Sequence, residues 1–147
     1  MRILFVCTGN TCRSPMAEAI LKYNLHNTHQ VESAGIYAFP GQSISDNADY
    51  VLKKNNISHI HTSRLLTQDL IEHADLVLTM TSNHKNASLS IINDLNKIFT
   101  ITEYVGEDNQ FDIIDPYGGD VGIYEATFKQ LSILIDKLIK VLNEGKS

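Results

Sequence analysis

Arg2-Ile3-Leu4-Phe5-Val6-Cys7-Thr8-Gly9-Asn10-Thr11-Cys12-Arg13-Ser14-Pro15 is the stretch whose reading decides the fold. Arg2 to Cys7 is a short apolar run suited to a parallel strand buried on both faces. It ends at the turn-formers Thr8, Gly9 and Asn10. Ser14-Pro15 then reads as a helix start, with Ser at the cap and Pro in the first turn. Glu18 stands where an early carboxylate suits the helix dipole, and Met16, Ala19, Ile20 and Tyr23 follow helical spacing. Strand, tight loop and helix in this order begin an α/β fold.

The rest of the chain continues the alternation. Val31 to Ile36 reads as a second strand, closed by Phe39-Pro40-Gly41, and Ser45 to Asn55 as a helix. Thr67 to His73 is a short helix with a Thr cap. Leu76 to Met80 is a third strand, followed by a helix over Asn83 to Leu95. Ile98 to Tyr104 is expected as a fourth strand, and Gly106 to Gly119 as a polar connection long enough to carry function. From Val121 onward, Tyr124, Phe128, Leu131, Ile135, Leu138 and Leu142 recur at steps of four and three. Leu134, Ile139 and Val141 widen that stripe beyond a coiled-coil seam, so the helix packs on a sheet. The expected architecture is one α/β domain over residues 1–147 with a parallel sheet, and ligands in such folds bind outside the carboxyl ends of strands.

Composition agrees and excludes other classes. Hydrophobic residues make up 43% of the 147 and charged residues 20%, the profile of a globular chain with a proper core. The formal net charge is -5, and no Lys/Arg stripe offers a nucleic-acid surface. No segment approaches the roughly 18 to 20 apolar residues of a membrane span, and no signal peptide is evident, so a cytoplasmic protein without membrane partners is expected. Two cysteines, Cys7 and Cys12, supply neither a disulfide framework nor a Cys-x-x-Cys metal spacing. In a reducing compartment a cysteine is a buried hydrophobe or a nucleophile.

The loop after the first strand carries the chemistry. Cys7 and Arg13, with five residues between them and lying between a strand and a helix, make a complete phosphate site. Loop N–H groups at the helix N-terminus converge on an anion, and Arg13 offers a planar fork to two phosphate oxygens. Gly9 and Asn10 tolerate the positive φ angles such a loop needs. The same donors and the Arg13 charge are expected to lower the pKa of Cys7, and Ser14 can hydrogen-bond its thiolate. Each residue alone has a plainer reading: a core cysteine, a solvent-facing arginine, an ordinary Gly-Asn turn. Their combination at this spacing favours the phosphate site. The Walker phosphate loop is excluded, because no Gly-Lys-Ser/Thr ending follows. A leaving group also needs an acid above the loop, and Asp108, Asp112, Asp115 and Asp120 are equal candidates on residue chemistry alone.

The string from Cys7 to Pro15 closely resembles the signature of low-molecular-weight protein tyrosine phosphatases. The likeness extends through Ser33-Ala34-Gly35 to Asp115-Pro116-Tyr117, nearly the whole chain. The resemblance implies a four-stranded parallel sheet flanked by helices, no metal or other cofactor, and a phosphocysteine intermediate. It implies phosphate contacts over Thr8, Gly9, Asn10, Thr11, Cys12, Arg13 and Ser14. It selects Asp115 as general acid and then base, with Pro116 stiffening its loop and Tyr117 walling the pocket. By family position Phe39 is expected to line the pocket as well. Family members with a pair like Cys7 and Cys12 form a reversible disulfide that shields the nucleophile.

Thr11 departs from the tyrosine-specific pattern, which usually carries a larger aliphatic residue there. A Thr resembles the bacterial branch that acts on phosphoarginine, and so does Gly118-Gly119 after Tyr117. A phosphoarginine leaving group is planar and rich in N–H donors, so a hydroxyl beside the phosphate suits it. Phosphoarginine in proteins is therefore the expected substrate, phosphotyrosine the alternative, and inorganic phosphate the product. A neutral change of size at Thr11 is the plainer account. Arsenate reductases of a related fold need further cysteines after Cys12, which are missing. A non-enzymatic phosphocarrier would gain nothing from Asp115. His59, His61, His73 and His84 are expected to face solvent or pack, with no carboxylate completing a metal site.

Overall fold

A computed structural model describes residues 1–25, 29–109 and 111–144. The strands are β1 (Arg2–Cys7), β2 (Gln30–Gly35), β3 (Leu76–Thr79) and β4 (Ile98–Thr100). The helices are α1 (Arg13–Leu25), α2 (Asp46–Lys54), α3 (Gln68–His73), α4 (Ser82–Ile91), α5 (Ile101–Tyr104) and α6 (Val121–Glu144). The sheet is parallel throughout, in the order β2-β1-β3-β4. The order reverses at β1, and a crevice opens beyond its carboxyl end at such a switch point.

β1 is central, and its two faces feed two cores. Ile3, Phe5 and Cys7 pack with α1, α2 and α6 on one side, whereas Leu4 and Val6 pack with Leu66, Ile71 and Ile98 on the other. The period of two thus turns Cys7 toward the α1 side. Residues 13–21 of α1 are buried all round, which fits a helix held between the sheet and α6. α6 supplies the facing stripe from Tyr124 to Leu142 that its periodicity predicts.

Three local expectations need correction. α1 begins at Arg13, and Met16 N–H donates to the Cys12 carbonyl at 3.1 Å, so Ser14 lies within the first turn rather than at the cap. Its hydroxyl turns inward to the loop instead. The predicted fourth strand breaks at Thr100, whose Oγ1 accepts from Glu103 N–H at 3.2 Å and opens α5. Thr100-x-x-Glu103 is a capping-box pattern, which outweighs the β propensity of Ile101 and Tyr104. α4 stops at Ile91, short of Leu95, because Asp94 Oδ1 accepts from Asn96 N–H at 3.0 Å in an Asx turn.

β2 shapes the loop it faces. In the β1–β2 register Gly35 stands opposite Cys7. A Cβ on Gly35 would lie 2.5 Å from the Thr8 carbonyl oxygen and 2.9 Å from the Asn10 nitrogen. Only glycine admits the loop that closely. Ile36 and Tyr37 N–H donate to the Cys7 and Thr8 carbonyls at 3.0 and 2.9 Å, and Ser45 N–H donates to the Thr11 carbonyl at 2.9 Å. The outward carbonyls of the loop are therefore satisfied by backbone from further along the chain.

Candidate active site

The crevice beyond β1 is a cleft of about 300 Å³ lined by Cys7, Thr8, Gly9, Thr11, Cys12, Arg13, Tyr37, Phe39, Gln42, Asp115 and Tyr117. The predicted site residues from loop and connection thus converge, and Phe39 joins them. Asn10 and Ser14 lie outside the lining because both side chains are fully buried beneath it. Asn10 takes the left-handed conformation, with φ of 57°. Gly9 is not among the positive-φ residues. The left-handed turn thus falls on an asparagine whose side chain holds it in place.

Asn10 organises the floor. Its Oδ1 accepts from Arg64 N–H at 3.0 Å, which orients the amide. Its Nδ2 donates to Ser14 Oγ at 2.8 Å and to Ser33 Oγ at 2.9 Å. Ser14 Oγ, already accepting, keeps its one proton for Cys7 Sγ at 2.8 Å. Ser33 Oγ likewise donates to Glu18 Oε1 at 2.6 Å. A directed chain of hydrogen bonds therefore ends on the Cys7 sulfur with a donor. Burial pushes the Cys7 thiol up all the same, against the Ser14 hydroxyl, the Arg13 charge and the Ser14 and Asn10 N–H groups that pull it down. The expected net lowering is not met, because desolvation at 3% exposure outweighs the donors.

Arg13 is held flat under the cleft. Its Nη1 donates to the Ile113 carbonyl at 3.2 Å and its Nη2 to Thr8 Oγ1 at 3.4 Å, with Asp115 Oδ2 at 3.6 Å. Thr8 Oγ1 also lies 2.8 Å from His84 Nε2. Burial first, and then the Arg13 charge, lowers the pKa of His84 to about 4, with Asp112 and Asp115 opposing. A neutral imidazole can sit beside the guanidinium without repelling it.

The structure separates the four candidate acids. Asp112 Oδ1 accepts from Ser82 N–H at the start of α4, and Asp120 Oδ1 from Ile123 N–H at the start of α6. Asp115 lines the cleft, with its side chain 56% exposed and its Oδ1 accepting from Tyr117 N–H at 3.1 Å; Asp108 does not line it. Cys12 is buried beside Tyr124 Oη at 3.3 Å and Ser45 Oγ at 3.5 Å, and both thiols are free. Burial, and then the Cys12 contact, raises Tyr124 to about 12, so its hydroxyl stays protonated.

A buried cysteine and arginine on one tight loop thus share a cleft with an exposed aspartate. Residues 2–147 match the family model for low molecular weight phosphotyrosine protein phosphatase. The chain belongs to that family. It is 43% identical over 138 residues to the low molecular weight protein-tyrosine-phosphatase PtpB of Staphylococcus haemolyticus, covering 94% of this chain and 97% of the relative. It is 41% identical over 150 aligned positions to the protein-arginine-phosphatase of Bacillus subtilis, covering 99% of each. Among solved structures, the C7S mutant of the YwlE arginine phosphatase with a phosphorylated active-site serine superposes with a TM-score of 0.92 at 41% identity. That match covers 97% of this chain and 96% of the other.

Within this family frame, several residues of the site had no signal of their own in the sequence. Tyr37 and Gln42 reach the cleft from the loop after β2. Of the packing or solvent-facing roles expected for His84 the structure shows packing, and it adds a contact with Thr8 of the loop after β1. Its position after the Thr81 cap of α4, at the carboxyl end of β3, was the only pointer. His59 and His61 were expected to lack a carboxylate. Both instead lie 3.9 Å from Glu18, which is buried rather than merely facing the helix dipole. His73 alone is exposed, with Nδ1 on the Asp69 carbonyl at 2.7 Å.

Proposed function

We propose that this phosphatase hydrolyses phosphoarginine in proteins, with Cys7 as nucleophile, Arg13 and the loop N–H groups as phosphate holder and Asp115 as acid and base. In the first step a Cys7 Sγ lone pair attacks phosphorus, the S–P bond forms and the P–N bond breaks. Asp115 gives its proton to the departing guanidino nitrogen. In the second step water attacks phosphorus, Asp115 takes a proton from it, and the S–P bond breaks. Inorganic phosphate leaves and the Cys7 thiolate departs onto the Ser14 hydroxyl. Only the thiolate attacks, so the Ser14, Arg13 and Asn10 contacts serve by raising its fraction against the burial. Arg13 and the fixed N–H groups oppose the charge of the phosphoryl oxygens through both steps.

The observation that carries the choice of substrate is Thr11 in the cleft wall, with the Asp115 carboxylate at the mouth. A hydroxyl and a carboxylate are acceptors for the N–H groups of a phosphoguanidinium. A phosphotyrosine reading has its own support, since Tyr37, Phe39 and Tyr117 form an aromatic rim that suits a ring. Turnover of free phosphoarginine and of a phosphotyrosine peptide at neutral pH decides between them, with Cys7→Ser as control. A large preference for phosphoarginine is expected; the reverse preference overturns the assignment while leaving the cysteine chemistry standing. Substantial turnover in Cys7→Ser overturns that chemistry.

The same proposal includes phosphorylated proteins as partners and the cytoplasm as the place of action. Among the described residues no helix is long and apolar enough to cross a membrane. Fractionation of cells followed by detection of the chain tests the location, and recovery with membranes would overturn it. Cys12 is proposed to shield the nucleophile by a reversible disulfide with Cys7, two thiols giving two electrons to peroxide. Cys12→Ser should then lose activity irreversibly sooner under peroxide; equal resistance would leave Cys12 a packing residue.

A further inference from the structure

Behind the phosphate loop, ligand-type side chains from two distant stretches of the chain converge at a point none of the proposed chemistry uses. Glu18 comes from α1, and His59 and His61 from the connection between α2 and α3. One donor atom from each lies within 4.8 Å of the other two. His59 Nε2 and His61 Nδ1 both stand 3.9 Å from the same oxygen, Glu18 Oε1. The three side chains are 7%, 4% and 9% exposed in the order His59, His61, Glu18. The two rings lie stacked, 5.8 Å apart and 26° from parallel, so that both edges aim at one carboxylate.

A plain ion pair explains this arrangement poorly. His59 Nε2 is buried with no hydrogen-bond partner, and 3.9 Å is too long for a hydrogen bond to Glu18. An unsatisfied buried polar atom of this kind costs stability. A nearby cation would remove that cost.

We propose that Glu18, His59 and His61 form a binding site for a divalent transition cation of the Zn²⁺ class, with water completing the coordination. Two imidazole nitrogens and one carboxylate oxygen suit Zn²⁺, whereas Mg²⁺ and Ca²⁺ ask for oxygen ligands. A cation bonded at about 2.1 Å to each donor in a tetrahedral shell would draw the three to about 3.4 Å from one another. The surrounding contacts are those that orient metal ligands. His61 Nε2 donates to the Asn10 carbonyl at 2.6 Å, which leaves its Nδ1 as the lone pair. Glu18 keeps Lys22 Nζ on Oε2 at 2.7 Å and Ser33 Oγ on Oε1 at 2.6 Å. The site is thereby joined to Asn10 twice, through the His61 ring and through Ser33. Occupancy ties α1 and the connection between α2 and α3 to the residue that holds the left-handed turn of the loop. It stiffens the loop without touching the cleft.

The test uses the full chain as a Cys7→Ser, Cys12→Ser protein, so that no thiolate competes for the ion. After treatment with chelator, Zn²⁺ is titrated calorimetrically and Co²⁺ by visible absorption. One ion per chain is expected, with an absorption typical of nitrogen and oxygen ligands. Zn²⁺ should raise the Tm of this protein, and His59→Gln should weaken binding by about tenfold or more and abolish that rise. Binding of equal strength in His59→Gln, or no binding to the parent, overturns the proposal. Should His59→Gln fail to fold, imidazole ¹⁵N shifts of the parent decide instead. Movement of His59 Nε2 and His61 Nδ1 on adding Zn²⁺ supports the site, and unmoved signals there overturn it.

Discussion

The floor of the cleft is buried and cross-linked, whereas its rim stands in solvent. Cys7, Asn10, Arg13 and Ser14 are at most 5% exposed; Cys7, Asn10 and Ser14 are tied to one another or to β2 by hydrogen bonds, and Arg13 to Thr8 and the Ile113 carbonyl. Tyr37, Phe39 and Tyr117 are 80%, 74% and 81% exposed, and Asp115 stands 3.6 Å from Arg13 of the floor. A buried, directed network fixes geometry at the cost of adaptability, while exposed aromatic groups can be exchanged without disturbing the core. The division suggests where each property resides: bond breaking below, choice of leaving group above.

Substitutions can break that comparison. The largest effect should come from Asp115→Ala. If Asp115 is the acid, turnover falls by about 10²–10⁴-fold while inorganic phosphate inhibits as before, because the floor is untouched. Turnover at the parent rate would mean that another group donates the proton. Next in size is Thr11→Ile, a change in the wall between floor and rim. It should lose phosphoarginine turnover by about tenfold or more and keep or gain phosphotyrosine turnover, read as the ratio of kcat/KM for the two substrates. A shift in the opposite direction would place specificity elsewhere on the rim.

The smallest effect concerns stability. Native His84 resists protonation down to about pH 4, whereas in the unfolded chain it takes a proton near its ordinary 6.5. Its contribution is therefore whole above about 6.5 and is lost as pH falls toward about 4. Denaturant midpoints should drop across this interval, and His84→Gln should flatten the drop. An equally steep fall in the variant would assign the acid sensitivity to other buried groups.

The floor was far more legible in the sequence than the rim or the support beneath it. Cys7, Arg13 and Ser14 declare themselves because strand, turn and helix succeed one another within a dozen residues, where local spacing settles neighbourhood. Asp115 needed the family likeness, since four aspartates share one connection and only the fold shows Asp112 and Asp120 spent on helix starts. Tyr37, Gln42 and His84 come to the site through the sheet order, which no local pattern encodes. The same holds for Glu18 against His59 and His61, separated by two elements in sequence yet packed together. Ser14 shows a subtler gap: it looked like a helix cap, and its role depends on a proton count around Asn10. The strand expected over Ile98 to Tyr104 is present only to Thr100, where a capping box that was legible all along ends it.

The close approach of Gly35 to the loop bears on the order of events as the chain folds. Cys7 to Arg13 are the first of the site to leave the ribosome, but the Cys7, Thr8 and Thr11 carbonyls find their partners in Ile36, Tyr37 and Ser45. Asn10 waits for Ser33 and for Arg64. Until β2 has docked in parallel beside β1, a slow kind of pairing with distant partners, the Cys7 thiol is an ordinary one on an open segment. The shape proposed to hold the anion is thus a product of the finished sheet, and a half-made chain carries Cys7 without the setting its proposed role needs.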